Sequence, residues 1–242
     1  TWIYIQDMES RATWSSGLQP TLAAGHEHEA FFSSHSAEFH RRDGALAQVT
    51  EIFVAPEDDV EVRLVTLTNH GDKARRLRLT SYGELVLAPQ AADSRHPAFN
   101  KLFIESERLP RGNGLLYRRR PRSTSEAGIY LAHALVTSPG ETTVVRPRLE
   151  TDRGRFLGRG RTTRNPVALE AGPRSKIGAS LDPIYSISQV IYFPPQSTQR
   201  LAFLTTAGRS AEETQSIIDR FSSLGAIQAA LEQARGLAEV EM

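Results

Sequence analysis

Apolar side chains recur at every second position over 45–54 (ALAQVTEIFV), 60–67 (VEVRLVTL) and 77–87 (LRLTSYGELVL), with β-branched and aromatic residues enriched. That period is the signature of half-buried strands. Pro56-Glu57-Asp58-Asp59 and Asn69-His70-Gly71-Asp72 break the runs with good turn chemistry, so neighbouring strands are expected to pair antiparallel. Alternation resumes over 129–137, 142–149, 186–193 and 200–206. Between these lie two long stretches of weak periodicity, 88–128 and 150–185, and interruptions of that size in a compact domain are usually functional or structured in their own way. From Ser210 the period changes to that of a helix. Ser210 with Glu213 spells a capping box, and Ile217, Ile218, Phe221 and Leu224 form one apolar stripe. Gly225 is expected to interrupt this helix, and Ile227, Ala230, Leu231 and Ala234 to form a second one ending near Gly236. The pattern predicts an all-β fold with a helical C-terminal tail, which either packs on its own sheet or leads into a further helical domain.

Composition narrows the picture. A chain of 242 residues with 39% hydrophobic residues can bury a sizeable core as one domain. No apolar run is long enough to span a bilayer, and the amino-terminal TWIYIQDMES lacks the layout of a signal peptide. The start at Thr1 suggests a processed chain or a piece of a longer one. With no cysteine, a disulfide framework and thiolate chemistry are excluded, which suits a reducing compartment.

Charge is more telling in its distribution than in its sum. The formal net charge is +1, too small for a general attraction to nucleic acid. Lysines occur only at 73, 101 and 176, so the positive charge is nearly all arginine, and it concentrates between Arg108 and Arg164. Arginine's rigid planar fork suits carboxylates, phosphates and sugar hydroxyls, although a solvated surface role is the ordinary fate of any single one.

Candidate chemistry is sparse. His26 and His28 with Glu27 and Glu29, followed by His35 and His40, resemble a metal cluster, but no third ligand has convincing spacing and the segment after Gly25 reads as a loop. Paired carboxylates for acid–base work on a sugar would come from Glu84, Asp93, Glu105, Glu107, Asp152 and Asp182. Ion-paired clamps holding long loops are the simpler use, above all for Asp152 with Arg153 or Arg155. No G-x-S-x-G segment supports a serine triad. The spacing of Gly154, Gly158 and Gly160 is not a dinucleotide fingerprint, and RRRPR (118–122) with GRGR has no aromatic platform for RNA.

Taken together, WSSGLQP (14–20), APEDDVEVRLVTLTNHGDKARRLRLTSYGELVL (55–87), Asp93 with HPAFNKLF (96–103), RRRPR, ETDRGRFLGRG (150–160) and LDPI (181–184) resemble the β-sandwich domain of family 94 glycoside phosphorylases. The version found in bacterial cyclic β-1,2-glucan synthases is the nearest. The resemblance spans nearly the whole chain with its segments in order. It implies a large antiparallel two-layer super-sandwich, similar to galactose-mutarotase domains, over 1–208, with linker helices at 209–242 leading toward an (α/α)6 catalytic barrel. In the family the general acid and most phosphate ligands lie in that barrel, so this chain is expected to carry no catalytic residue, metal or cofactor. Expected partners are β-1,2-glucan or a related β-glucan and the catalytic domain of the same polypeptide, without nucleic acid or direct membrane contact. The expected location is cytoplasmic, as part of an inner-membrane protein.

His96, Phe99, Tyr117, Arg118, Arg119, Arg120, Arg122, Arg159 and Arg161 are the candidates for touching carbohydrate or a partner domain. Tyr130 is a further possible stacking face. Asp152, Arg153, Phe156 and Asp182 are expected to organise loops. The rival readings are a self-sufficient mutarotase-like or lyase-like enzyme using a histidine and a carboxylate on the concave face, and a pure interface module.

Overall fold

The computed structural model describes residues 1–121, 128–138 and 146–240. Its strands are β1 (Trp2–Asp7), β2 (Thr13–Ser15), β3 (Glu27–Phe32), β4 (Ala37–Asp43), β5 (Leu46–Val54), β6 (Val60–Asn69), β7 (Arg75–Glu84), β8 (Ile104–Arg108), β9 (Asn113–Arg119), β10 (Ile129–Thr137), β11 (Arg148–Asp152), β12 (Pro183–Phe193) and β13 (Ser197–Gly208). Six helices complete it: α1 (Gln90–Arg95), α2 (Pro97–Lys101), α3 (Arg153–Leu157), α4 (Ala168–Ala171), α5 (Ala211–Arg220) and α6 (Leu224–Val240).

The strands build two antiparallel sheets, a five-stranded one in the order β11-β12-β7-β1-β2 and an eight-stranded one in the order β3-β4-β5-β6-β13-β10-β9-β8. Alternation along each strand sorts side chains between three cores. Ile3, Ile5, Leu77 and Leu79 of the smaller sheet meet Val65, Leu67, Leu115 and Phe203 of the larger one in the central core. The opposite face of the larger sheet, with Val62, Leu64, Ala134 and Leu204, is covered by Ile217, Ile218, Ile227 and Leu231 from α5 and α6. Tyr4, Tyr82 and Ile184 on the outer face of the smaller sheet are covered by Phe156 and Leu157 of α3 and by Ala168 and Leu169 of α4. A two-layer sandwich whose outer faces are also covered buries both faces of its strands, which is why β12 is buried along nearly its whole length.

Several elements depart from the sequence expectation. The stretch 88–128 holds α1, α2, β8 and β9, and 150–185 holds the end of β11, then α3, α4 and the start of β12. These pieces are mostly five to seven residues, too short to display a period. Of the strand expected over 142–149, residues 142–145 lie outside the described residues, and the observed strand runs on to Asp152 through a register shift between Glu150 and Asp152. Residues 27–29 are strand rather than loop, because pairing with β4 recruits them. At the C-terminal end Ser210 Oγ accepts from the Glu213 N–H at 3.1 Å, and the Glu213 carboxylate takes the Arg209 N–H at 2.6 Å. The break between the last two helices falls before Gly225, where Ser223 Oγ accepts from the Ala226 N–H (3.2 Å) and starts the next helix. Gly236 does not stop α6, which continues to Val240 although its buried residues end at Ala234. Among the described residues, no helix is long and apolar enough to cross a membrane.

One close approach in the smaller sheet is unforgiving. Gly83 of β7 lies opposite Tyr185 of β12, and a Cβ at Gly83 would penetrate the tyrosine ring. That ring cannot swing away freely, since its hydroxyl is bonded to Thr1 Oγ1 at 2.7 Å and its face lies 4.4 Å from the His133 ring. Gly83→Ala is therefore expected to destabilise the domain by about 1–3 kcal/mol, the usual range for overpacking. Urea unfolding of G83A, Y185L and the double variant checks this: the double variant should cost less than the sum of the two.

Candidate interface and carbohydrate surface

Segments 96–103, 118–120 and 150–155, far apart in sequence, are brought together through Asp182, Glu84, Phe103 and Lys101. Asp152 is the N-cap of α3, its Oδ1 accepting from the Arg155 N–H at 2.9 Å and its Oδ2 from the Ser180 hydroxyl at 3.2 Å. The turn that follows points Arg153 at Glu84 (2.9 Å) and toward Asp182 (3.7 Å), while Arg155 pairs with the buried Glu150 at 3.3 Å. Asp182 in turn receives Lys101 of α2 at 2.5 Å. Glu84, Arg153, Asp182 and Lys101 thus form a chain of ion pairs tying α3 to the α1–α2 segment.

Glu84 is the best determined member. Burial would raise its carboxyl, but hydrogen bonds from the Tyr82 hydroxyl (2.7 Å) and Arg153, with the charges of Arg153 and Lys101, outweigh burial and hold it below the ordinary carboxylate value. Phe156 anchors the same segment from beneath, fully buried, with its ring 4.8 Å from that of Tyr82 and 6.2 Å from that of Tyr4. Gly158, at φ 85°, ends α3 where any side chain would strike Val167.

The α1–α2 segment is organised by a residue the sequence reading overlooked. Asn100 is buried and its Nδ2 donates to the carbonyls of Ala92 (2.8 Å) and His96 (3.0 Å), holding the two short helices together. Its place in HPAFNKLF, beside the charged Lys101, gave no signal that it would be buried. His96 is exposed at the junction of the helices. Phe99 is 49% exposed and packs edge-on against Phe103 at 5.2 Å, and Arg120 lies over the Phe103 ring at 5.8 Å. Arg118 and Arg120 share Glu105, at 2.5 and 3.8 Å. Leu102 (49% exposed) and Leu181 (79% exposed) add apolar area between the charged groups.

Two of the expected contacts turn inward instead. Tyr117 is fully buried in the central core, its hydroxyl donating to the Ile184 carbonyl at 2.6 Å across the two sheets, so it offers no face to a sugar. Burial, with Tyr185 and Glu150 nearby, raises its phenol well above the ordinary value. Arg119 points inward from the same strand, buried, toward the Leu87 carbonyl and Asn100. Period-two alternation along β9 sends Arg118 out and Arg119 in. Tyr130, half-buried, packs at the edge of the cluster under α5 and α6 and lies directly across from Arg118 on the same face. Arg122 lies outside the described residues. Arg159 is exposed on the loop after α3, and Arg161, paired with Glu170 at 2.5 Å, lines a separate cleft of about 640 Å³.

Among the described residues, the histidines with side-chain hydrogen bonds are each held by nearby polar groups. His26 accepts the Gly44 N–H (3.2 Å), His35 is bonded to Ser33 (3.2 Å) and His40 to Glu38 (3.0 Å). Among the described residues no three His, Cys, Asp or Glu side chains gather as metal ligands would. His133, between the sheets, is sealed from solvent and held by Thr205 (3.0 Å) and Ser81 (2.9 Å).

The family model described as "Glycosyl hydrolase 94, supersandwich domain" matches residues 1–224. The chain is similar to the cyclic beta-(1,2)-glucan synthase NdvB of Rhizobium meliloti (strain 1021), at 35% identity over 223 residues, covering 91% of this chain and 8% of that protein. It is 29% identical over 101 residues to the solabiose phosphorylase of Paenibacillus borealis, covering 40% of this chain and 13% of that one. Among solved structures, a bacterial glucoamylase complexed with acarbose shares the fold at a TM-score of 0.51 and 8% identity, over 96% of this chain and 30% of that chain. The chain therefore spans a small fraction of the relatives it matches.

Proposed function

The chain belongs to the glycosyl hydrolase 94 supersandwich family, and from that premise we propose that it is a non-catalytic accessory domain of a protein that makes or phosphorolyses β-glucan. In this reading it orients a neighbouring (α/α)6 catalytic domain of the same polypeptide and contacts β-1,2-glucan or a related β-glucan. The observation that carries the proposal is the convergent surface: exposed Phe99, Leu102 and Leu181 interspersed with Arg118, Arg120, Lys101 and Arg153. Apolar anchors set among arginines are the composition of recognition surfaces, and the ion-pair chain beneath keeps them in place. His96 and Arg159, both exposed, belong to the same proposed contact set.

Residues 1–208 are assigned as the sandwich and 209–242 as linker helices, which lie on the larger sheet through α5 and α6. The same proposal has the domain on the cytoplasmic side as part of an inner-membrane protein. A self-sufficient mutarotase-like or lyase-like enzyme is disfavoured by the site chemistry: His133 is walled off, and Glu84, Glu105, Asp152 and Asp182 are each engaged by a lysine or arginine.

Incubation of the chain with β-1,2-glucan and inorganic phosphate is expected to release no glucose 1-phosphate, and without phosphate to cleave nothing. Release of either product would overturn the accessory reading. Calorimetric titration with β-1,2-oligoglucans should give saturable heat that Phe99→Ala weakens by about threefold to tenfold, the scale of one aromatic contact. No saturable heat would remove glucan contact from the proposal.

A further inference from the structure

The cleft beside Arg161 lies on the outer side of the five-stranded sheet and takes no part in the surface just described. Its volume, about 640 Å³, is that of a pocket for a small organic ligand rather than for a bare ion. Arg11, Arg161 and Arg164 line it, against a single acid, Glu170. Arg161 spends its charge on Glu170 at 2.5 Å, whereas among the described residues Arg11 and Arg164 have no carboxylate partner.

Behind the cleft stands a fourth guanidinium with unusual surroundings. Arg78 is only 8% exposed, and it hydrogen-bonds a neutral amide: Nη1 donates to Gln6 Oε1 at 3.1 Å. Gln6, which lines the cleft, passes the polarity on by donating from Nε2 to Thr13 Oγ1 at 3.1 Å, another lining residue. Arg78 also crowds the Arg148 guanidinium, both lying within about 3.3 Å of where a Gly172 Cβ would sit. Burial first, and the charge of Arg148 second, lower the Arg78 guanidinium from its ordinary value. Among the described residues Arg78 has no carboxylate within ion-pair distance, and a positive charge held out of water in this way favours a nearby anion.

The walls are built rather than loose. Tyr4, buried under α3, donates its hydroxyl to the Thr163 carbonyl at 2.7 Å, next to Arg164. Of the four non-glycine residues with positive φ among those described, Arg11 (60°) is in the lining and Leu22 (55°) sits between the lining residues Thr21 and Ala23. Such conformations cost free energy and concentrate where position matters. Thr13, Thr21 and Asn165 supply groups that can partner hydroxyls, while Pro166 and Leu169 give an apolar floor.

We propose that this cleft binds a phosphate-type oxyanion carried on a small hydroxyl-rich molecule, with Arg11 and Arg164 gripping the anion and Gln6 and Thr13 positioning it. The oxyanion is selected by arginine forks from two sides, and the hydroxyl-bearing remainder by the size of the cleft and its amide and hydroxyl lining.

The test is calorimetric titration with three probes: glucose 6-phosphate, inorganic phosphate and glucose. Saturable binding of glucose 6-phosphate, weaker binding of phosphate and none of glucose are expected. The double variant Arg11→Gln/Arg164→Gln, both at exposed positions, should keep its unliganded melting temperature and lose at least about tenfold in affinity for glucose 6-phosphate, as expected for lost charge-assisted hydrogen bonds. Absence of binding by both phosphate probes, glucose binding as tightly as glucose 6-phosphate, or unchanged affinity in the double variant would each overturn the site. Equal affinity for phosphate and glucose 6-phosphate would overturn the assignment of a hydroxyl-rich carrier.

Discussion

Replacing Phe156 by alanine is expected to cost about 3–5 kcal/mol, the scale of a truncated core aromatic. The ring is wholly buried and is the main apolar contact of a five-residue helix with the smaller sheet, against Tyr82 and Tyr4. A helix that short has no stability of its own, so packing alone keeps it formed. Its loss would also loosen the Asp152 cap, the Arg153 ion pairs and the Tyr4 to Thr163 hydrogen bond, which all depend on where α3 lies. Two readouts separate a local from a global effect. Urea unfolding should give the full cost, and hydrogen exchange should show 153–170 losing protection before the strands do. A cost below about 1 kcal/mol, or unchanged exchange, would mean that α3 is held by its ion pairs instead, which exposed pairs rarely achieve.

Acidification is expected to weaken the domain through His133. Burial above all, with the amino terminus and Arg63 adding to it, lowers this imidazole from 6.5 to about 3. The folded state therefore keeps His133 neutral while the unfolded chain accepts a proton near its ordinary value. Between those two values the unfolded state binds more protons, so stability falls as pH falls through 6.5 toward 3, and is fully present above 6.5. The expected loss relative to neutral pH is about 2 kcal/mol at pH 5 and about 3 kcal/mol at pH 4. His133→Gln, which can still bond Ser81 or Thr205, should be less stable at neutral pH yet lose about 2 kcal/mol less than the parent between pH 7.5 and pH 5. Identical slopes for both proteins would show that other groups set the acid response.

The longer strands could be read from the chain because their neighbours are uniform. β5, β6, β10 and β13 lie in the interior of one large sheet, where alternation tracks the two faces directly. The capping box at Ser210 was equally legible, since it depends on local chemistry alone. The short elements were not. α1 buries no residue, α3 is pinned by Phe156 and Leu157 alone, and β8 is a five-residue edge strand that among the described residues pairs only with β9.

The proposed surface was half visible. The arginine segments stood out, but which arginines face outward is decided by the register of β9: Arg118 turns to Glu105, whereas Arg119 turns to Asn100. The Lys101 to Asp182 pair joins residues far apart in the chain, and no local pattern announces it. Tyr117 looked like a stacking face for the same reason that it is a core residue, being an aromatic in a strand. His133 gave no signal in a run of apolar residues, because its polar partners Ser81 and Thr205 come from other strands.

The position of β13 in the larger sheet governs how the molecule can assemble. On one side of it β3 to β6 form a meander of adjacent hairpins, and on the other β8 to β10 form a second. Both are local and can form early, while β13, the last strand in the chain, pairs Leu201 with Val65 on one flank and with Thr137 on the other. The smaller sheet has the mirror-image difficulty: its β1, the first strand made, has to wait for β7 before gaining that neighbour. Such long sequence separations raise the entropic barrier to closure. Formation of both sheets is thereby tied to late pairing events, and a chain cut short before residue 197 would leave two hairpin stacks with nothing to join them.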